Sequence, residues 1–168
     1  MRVGLLADVH HDRVLAAGAT FESAAAGAGL DHARAVLNRS HVEWLGALPA
    51  TLRAFDGRVR VVHGHPDDPD RYVYPDLFSA ALLGEERVLV TGHTHVQGVR
   101  RFPEGVVVNP GSVGQPRDGD PRAAYAVLDL DRERVDLRRV TYDVDRVRRD
   151  VRRAGLPESV AGRLERGR

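Results

Sequence analysis

Cysteine is absent from the 168 residues, which excludes disulfides and thiolate metal sites, so any metal must be held by imidazole, carboxylate, amide or water. Lysine is absent too: the 25 basic residues are all arginine, a bias that reads as a GC-rich coding sequence and not as a function. Those bases face 24 acids for a formal net charge of +1, which gives no bulk electrostatic case for nucleic acid or an anionic membrane. Long apolar runs are missing; the stretch Val3 to Ala7 is too short for a signal-peptide core, and none approaches the length of a membrane span. The expectation is a soluble, cytoplasmic protein with no membrane partner. Its length suits one domain over 1–168, and a chain of that size buries roughly 70% of the surface its unfolded form exposes, enough for a core without staples.

What is present is a mixed α/β pattern. A strand is predicted over about 2 to 7, followed by an Ala/Gly-rich stretch, Leu15 to Leu30, in which Gly18, Gly27 and Gly29 weaken helical character. Helical spacing resumes from Asp31 to Arg39, and Ser40 with Glu43 reads as a capping box opening a short helix that Pro49 stops. Asp56-Gly57 separates two strand-like runs as a hairpin turn. Asp76 reads as the cap of a helix through Leu77, Phe78, Ala81 and Leu82. Strands follow at 88 to 91, 99 to 102, 106 to 108, 123 to 130 and 135 to 142, and Asp143 caps a last helix carrying Val144, Val147 and Val151. Early strands alternating with helices and later strands running as hairpins argue for two packed sheets flanked by helices, not one parallel sheet.

Four polar clusters sit directly behind apolar runs: Asp8-Val9-His10, His63-Gly64-His65-Pro66, Gly92-His93-Thr94-His95 and Asn109-Pro110-Gly111-Ser112. Open α/β sheets bind ligands at the carboxyl ends of their strands, so such clusters can converge on one crevice. In an extended segment positions i and i+2 point the same way, which would let His93 and His95 present two imidazoles to one ion or to two neighbours. The alternative for that pair is two surface-loop histidines, and Asp8 can equally be a helix cap or turn former. His65, next to Pro66, reads as solvent-facing, and His32 and His41 as surface helix residues.

In this order the motifs resemble the calcineurin-like metallophosphoesterases, in particular their small prokaryotic phosphodiesterase branch. Asp8-x-His10 is similar to that family's first motif, His63-Gly64 to its later single-histidine motif, Gly92-His93-Thr94-His95 to its last ligand motif, and Asn109 to Arg117 to the signature that follows. The resemblance implies an αββα sandwich of two mixed sheets and hydrolysis of phosphodiesters or phosphomonoesters by metal-activated water. It implies that Asp8, His10 and His95 hold one metal ion and His63 and His93 a second. Mixed imidazole and carboxylate donors suit manganese, iron, zinc or nickel better than calcium.

Two family motifs are not intact. One is a Gly-Asp whose carboxylate bridges both ions; the other is a Gly-Asn-His-Asp supplying an amide ligand and a catalytic histidine. His11-Asp12, directly after His10, reads as the remnant of the latter after an internal deletion of at least one strand-helix unit, because a parallel crossover takes a dozen or more residues. In the family role His11 would be the catalytic general acid; its alternative is a solvent-facing side chain. Two unit charges ~4 Å apart repel by about 4 kcal/mol at an effective dielectric of about 20, and two dications by about four times that, so without the bridge one tightly held ion is expected. A strand lost beside the first leaves an edge that a partner chain, as in a homo-oligomer, would cover. Two classes therefore stand: a metal-dependent phosphoesterase, and a catalytically degenerate metal-binding or interaction protein of the same fold. The arginines between Arg132 and Arg153 alternate with Asp136, Asp143, Asp145 and Asp150, which reads as a solvated face and not as a nucleic-acid site.

Overall fold

Valine dominates the strands, and its branched side chain suits a pleated surface buried on both faces. The computed structural model describes residues 1–7 and 24–168. Among them the chain divides into two units, one of Met1–Ala7, Ala50–Tyr142 and Gly167–Arg168, the other of Ala24–Pro49 and Asp143–Arg166.

The first unit holds two sheets. Strands β1 (Arg2–Leu5), β7 (Ala123–Asp129) and β8 (Arg134–Val140) form a three-stranded antiparallel sheet in the order β1-β7-β8. Strands β2 (Thr51–Ala54), β3 (Val59–Val62), β4 (Val88–Val90), β5 (Gly98–Phe102) and β6 (Gly105–Asn109) form a mixed sheet in the order β2-β3-β4-β6-β5. Its centre is parallel, with Val61 opposite Val90 and Val90 opposite Val108, while β2 and β5 run antiparallel at its edges. This two-sheet α/β architecture is the one the sequence predicts.

Alternation along the strands separates two apolar layers. Leu5, Val59, Val88, Val90, Val106, Val108, Ala126, Leu128 and Val135 pack together from both sheets and form the core between them. The opposite face of the mixed sheet presents Val62, Leu89 and Val107, which Val73 and Phe78 cover.

That cover is not the helix expected from Asp76 to Leu82. It is two 3₁₀ turns, Pro75–Leu77 and Ala80–Leu82, separated by extended residues at Phe78 (φ −61, ψ 128) and Ser79 (φ −141, ψ 161). The break turns Phe78 into the core, where it is 2% exposed, and its carbonyl accepts from the Arg100 guanidinium at 2.9 Å. Burying a phenyl ring is worth about 1.5–3 kcal/mol, and the N–H groups of Leu77, Phe78, Leu82 and Leu83 still find carbonyl partners in the two turns.

The second unit contains α1 (Ala24–Val36), α2 (Arg39–Gly46), α3 (Val144–Arg153) and α4 (Glu158–Gly162). Helix α1 passes through Gly27 and Gly29 despite their cost of about 1 kcal/mol each, because alanines surround them. Helix α2 is capped by Asn38, whose side chain accepts from the His41 N–H at 2.9 Å. Ser40, expected as the cap, instead donates to the Asn38 side chain at 2.7 Å. Asp143 caps α3 as predicted, accepting from the Arg146 N–H at 2.8 Å. The arginines of α3 are paired: Arg148 and Arg152 with Glu158, Arg149 with Asp143, and Arg153 with Asp150. Among the described residues no helix is long and apolar enough to cross a membrane.

Candidate metal centre

The carboxyl ends of β3, β4 and β6 lie side by side because these strands are parallel neighbours, and each ends in a polar group. His63 follows β3, Gly92 to His95 follow β4, and Asn109 closes β6. The ends are tied together: the Gly92 N–H donates to the His63 carbonyl at 2.7 Å, and the Thr91 N–H to the Val108 carbonyl at 2.8 Å.

The structure brings His63 and His93 together, with ring centroids 4.6 Å apart and planes tilted by 54°. The second ring contact of His93 is Tyr72, stacked at 3.9 Å and 18°. Its Nε2 lies 3.1 Å from the Asp70 carbonyl. A carbonyl only accepts, so Nε2 carries the proton in that bond and Nδ1 the lone pair in the neutral ring. Asp70 reaches this place because Gly64 lets the chain pass close: a Cβ there would lie 2.4 Å from the Pro69 carbonyl oxygen and 2.6 Å from that of Arg71.

His95 is treated the opposite way. It is 2% exposed, and its Nδ1 lies 2.6 Å from the Gln115 carbonyl, so in the neutral ring Nε2 carries the lone pair. The two imidazoles thus have tautomers set by backbone carbonyls, the arrangement metal-ligating histidines ordinarily take.

They do not come from an extended segment, as the i, i+2 expectation had it. His93 and His95 both adopt left-handed backbone conformations, φ 65 and φ 59. The Thr94 N–H donates to the Gly92 carbonyl at 2.7 Å, closing a γ-turn on His93, the rarer and strained kind when its central φ is positive. Each such residue costs on the order of 1–3 kcal/mol and persists only where its surroundings over-determine it. Those surroundings are buried. Asn109, fully buried, donates to the Gly92 carbonyl at 2.8 Å and to Thr94 Oγ1 at 3.0 Å, and accepts from the Gly111 N–H at 2.9 Å.

The loop after β6 holds His95. Ser112 Oγ accepts from the Gln115 N–H at 2.8 Å, Gln115 then receives the His95 ring, and the Arg117 N–H donates to the His95 carbonyl at 3.1 Å. The side chain of Arg117 is exposed and donates to Gln115 Oε1 at 3.0 Å. Farther along, Asp118 pairs with Arg139 of β8 and accepts from the Gln97 N–H at 3.1 Å. Burial alone would raise the Asp118 pKa, but the Arg139 guanidinium and the Gln97 N–H bring it below the ordinary carboxylate value. Gln97 also donates to the Pro110 and Tyr125 carbonyls at 3.2 and 3.0 Å, linking the loop to both sheets.

His65, expected to face solvent, is mostly enclosed, and its Nδ1 accepts from the Asp67 N–H at 3.1 Å. Asp8, His10 and His11 lie outside the described residues. Ala7, just before them in the chain, lies with its carbonyl 3.5 Å from the Val113 N–H, so the end of β1 meets the same loop. Among the described residues no group of three or more His, Cys, Asp or Glu side chains is gathered to hold a metal. Of the braces, Asn109 and Ser112 fall in the Asn-Pro-Gly-Ser cluster that the sequence marks, whereas Gln97 and Asp118 carry no sequence signal of their role.

A two-sheet α/β unit with histidines at the ends of adjacent parallel strands has the placement in which open α/β sheets bind ligands. The family model described as the calcineurin-like phosphoesterase superfamily domain matches residues 30–133, and the chain belongs to this superfamily. It is similar to the crystal structure of a metallophosphoesterase from Sphaerobacter thermophilus, at 30% identity and a TM-score of 0.72, covering 89% of this chain and 72% of that one. It is 28% identical over 152 residues to the protein MJ0912 of Methanocaldococcus jannaschii, covering 79% of this chain and 62% of the relative. It is 36% identical over 74 residues to the phosphodiesterase YfcE of Escherichia coli strain K12, covering 44% of this chain and 35% of YfcE. The chain therefore spans less than two thirds of the length of these two curated relatives.

Proposed function

We propose that this chain is a divalent-metal-dependent hydrolase of phosphodiesters or phosphomonoesters, with His63 and His93 holding one ion and Asp8, His10 and His95 the ligands of a second position. The observation that carries the reading is the His63–His93 ring pair at 4.6 Å on neighbouring parallel strand ends. The carbonyl-set tautomers of His93 and His95 support it. A divalent ion bound there would polarise a phosphoryl oxygen and lower the pKa of a water. The chain's own part is orientation: Asp70 and Gln115 fix the two rings, and Asn109 holds the strained loop between β4 and β5. In this reading His11 gives a proton to the leaving-group oxygen.

The test is hydrolysis of bis(p-nitrophenyl) phosphate by the full chain with added manganese. Turnover that chelation abolishes and His93→Ala lowers at least about 100-fold supports the reading, in line with losses seen when a metal ligand's surroundings are removed. Turnover indifferent to both contradicts it.

A second reading, a degenerate metal-binding or interaction protein of the same fold, is favoured by the lack of an intact Gly-Asn-His-Asp motif and of a Gly-Asp motif behind an early strand, since the one Gly-Asp pair, Gly119-Asp120, lies in a late turn. It predicts metal retention without turnover.

A further inference from the structure

Beside the imidazole pair runs a short ribbon, Tyr72-Val73-Tyr74, whose side chains alternate. Val73 is 5% exposed and anchors the ribbon in the outer apolar layer, whereas Tyr72 and Tyr74 are 46% and 42% exposed. Extended backbone puts i and i+2 on one side, and the two rings accordingly stack at 6.0 Å and 14°. Tyr72 in turn stacks on His93 at 3.9 Å and 18°, so imidazole and two phenols form a ladder of nearly parallel planes. The ladder is locked from behind. Pro75 fixes the chain after Tyr74 and fits against Gly98, where a Cβ would lie 2.5 Å from the proline ring. Val73 and Phe78 already supply the apolar cover of the sheet, so the fold gains little from two large rings left in water.

We propose that Tyr72 and Tyr74 are a stacking platform for a planar aromatic group carried by the phosphate ester, a nucleobase or an aryl ring, and that they set the substrate class. The proposal rests on the reading of His63 and His93 as the phosphate end of the site. A phosphate held at that pair carries its ring one sugar or one ester oxygen away, and Tyr72 is in ring contact with His93, a member of the pair. Stacking on exposed aromatic side chains tolerates any base, because every base has a π-face, and phenol rings add a polar tip.

The experiment compares adenosine 5′-monophosphate with ribose 5-phosphate, the same phosphate with and without a ring, by calorimetric titration of the full chain. Wild type is expected to bind the nucleotide about tenfold more tightly or better, from the usual strength of base–aromatic stacking. Tyr74→Ala, at the ring that stacks on Tyr72 and not on His93 in the contacts described, should remove most of that ratio while leaving ribose 5-phosphate affinity in place, and Tyr72→Phe should keep the ratio. A parallel titration with phenyl phosphate separates a general ring preference from a base preference; either supports the platform. Equal affinity for nucleotide and sugar phosphate, no binding of either, or a ratio unchanged in Tyr74→Ala overturns the proposal. Failure of the hydrolase reading shows separately, as absent manganese-dependent turnover with the nucleotide preference intact.

Discussion

The side-chain amide of Asn109 donates to the Gly92 carbonyl at 2.8 Å, so the last residue of β6 holds in place the loop that carries His93. The same amide reaches Thr94 Oγ1, and the three residues it braces include a histidine at φ 65. Replacing it with Asp keeps the shape but removes the donor. Asn109→Asp is expected to destabilise the chain by about 1–3 kcal/mol, the cost of leaving a buried acceptor unpaired, and to lower metal affinity with it. Urea denaturation and a metal titration measure the two effects; a variant with the wild-type midpoint and affinity would remove Asn109 from the account.

Gly64 makes a second prediction. Its substitution by alanine drives a Cβ into the carbonyls of Pro69 and Arg71, which are backbone and cannot swing aside. Gly64→Ala should cost about 1–3 kcal/mol by overpacking and displace Asp70 from His93. The signature is a change in the His93 ring resonances alongside the lower midpoint, whereas His95, held from the other side by Gln115, should keep its own.

Asp118 and Arg139 predict a pH effect. The Asp118 carboxyl titrates below its unfolded value, so its stabilisation is complete above about pH 4, the ordinary aspartate range, and is lost as the pH falls further. Both side chains are almost enclosed, 14% and 13% exposed, so removing one partner strands the other. Arg139→Met is expected to cost about 3–5 kcal/mol at neutral pH and less in acid, where Asp118 is protonated. Denaturation midpoints of the two proteins from pH 7 to 3 should converge; a constant gap would contradict the assignment.

How far the sequence announces this arrangement differs by layer. The valine strands, the turn at Asp56-Gly57 and the cap at Asp143 are readable because each depends on local pattern, and the structure keeps them. Asn38 over Ser40 as the cap of α2 is a choice between two good capping residues that local pattern cannot rank. The 75–82 segment shows helical spacing, yet a tertiary demand, the burial of Phe78, divides it into two turns. The placement of His63 and His93 behind strands is readable in the sequence, while the left-handed backbone of His93 and His95 is invisible without Asn109 opposite them. Tyr72 beside His93 is less legible still, since they lie 21 positions apart and tertiary contacts, the β3–β4 pairing and the Asp70 carbonyl on His93, bring their segments together.

The most direct test of the central claim is the metal content of the full chain after manganese loading and extensive dialysis, measured for wild type and His93→Ala by elemental analysis. The account predicts one retained equivalent per wild-type chain, because the family's early Gly-Asp motif, whose carboxylate would offset the repulsion of a second ion, is not intact in the sequence, and its loss in His93→Ala. A wild-type chain that retains no metal, or a His93→Ala chain that retains as much as wild type, would contradict it.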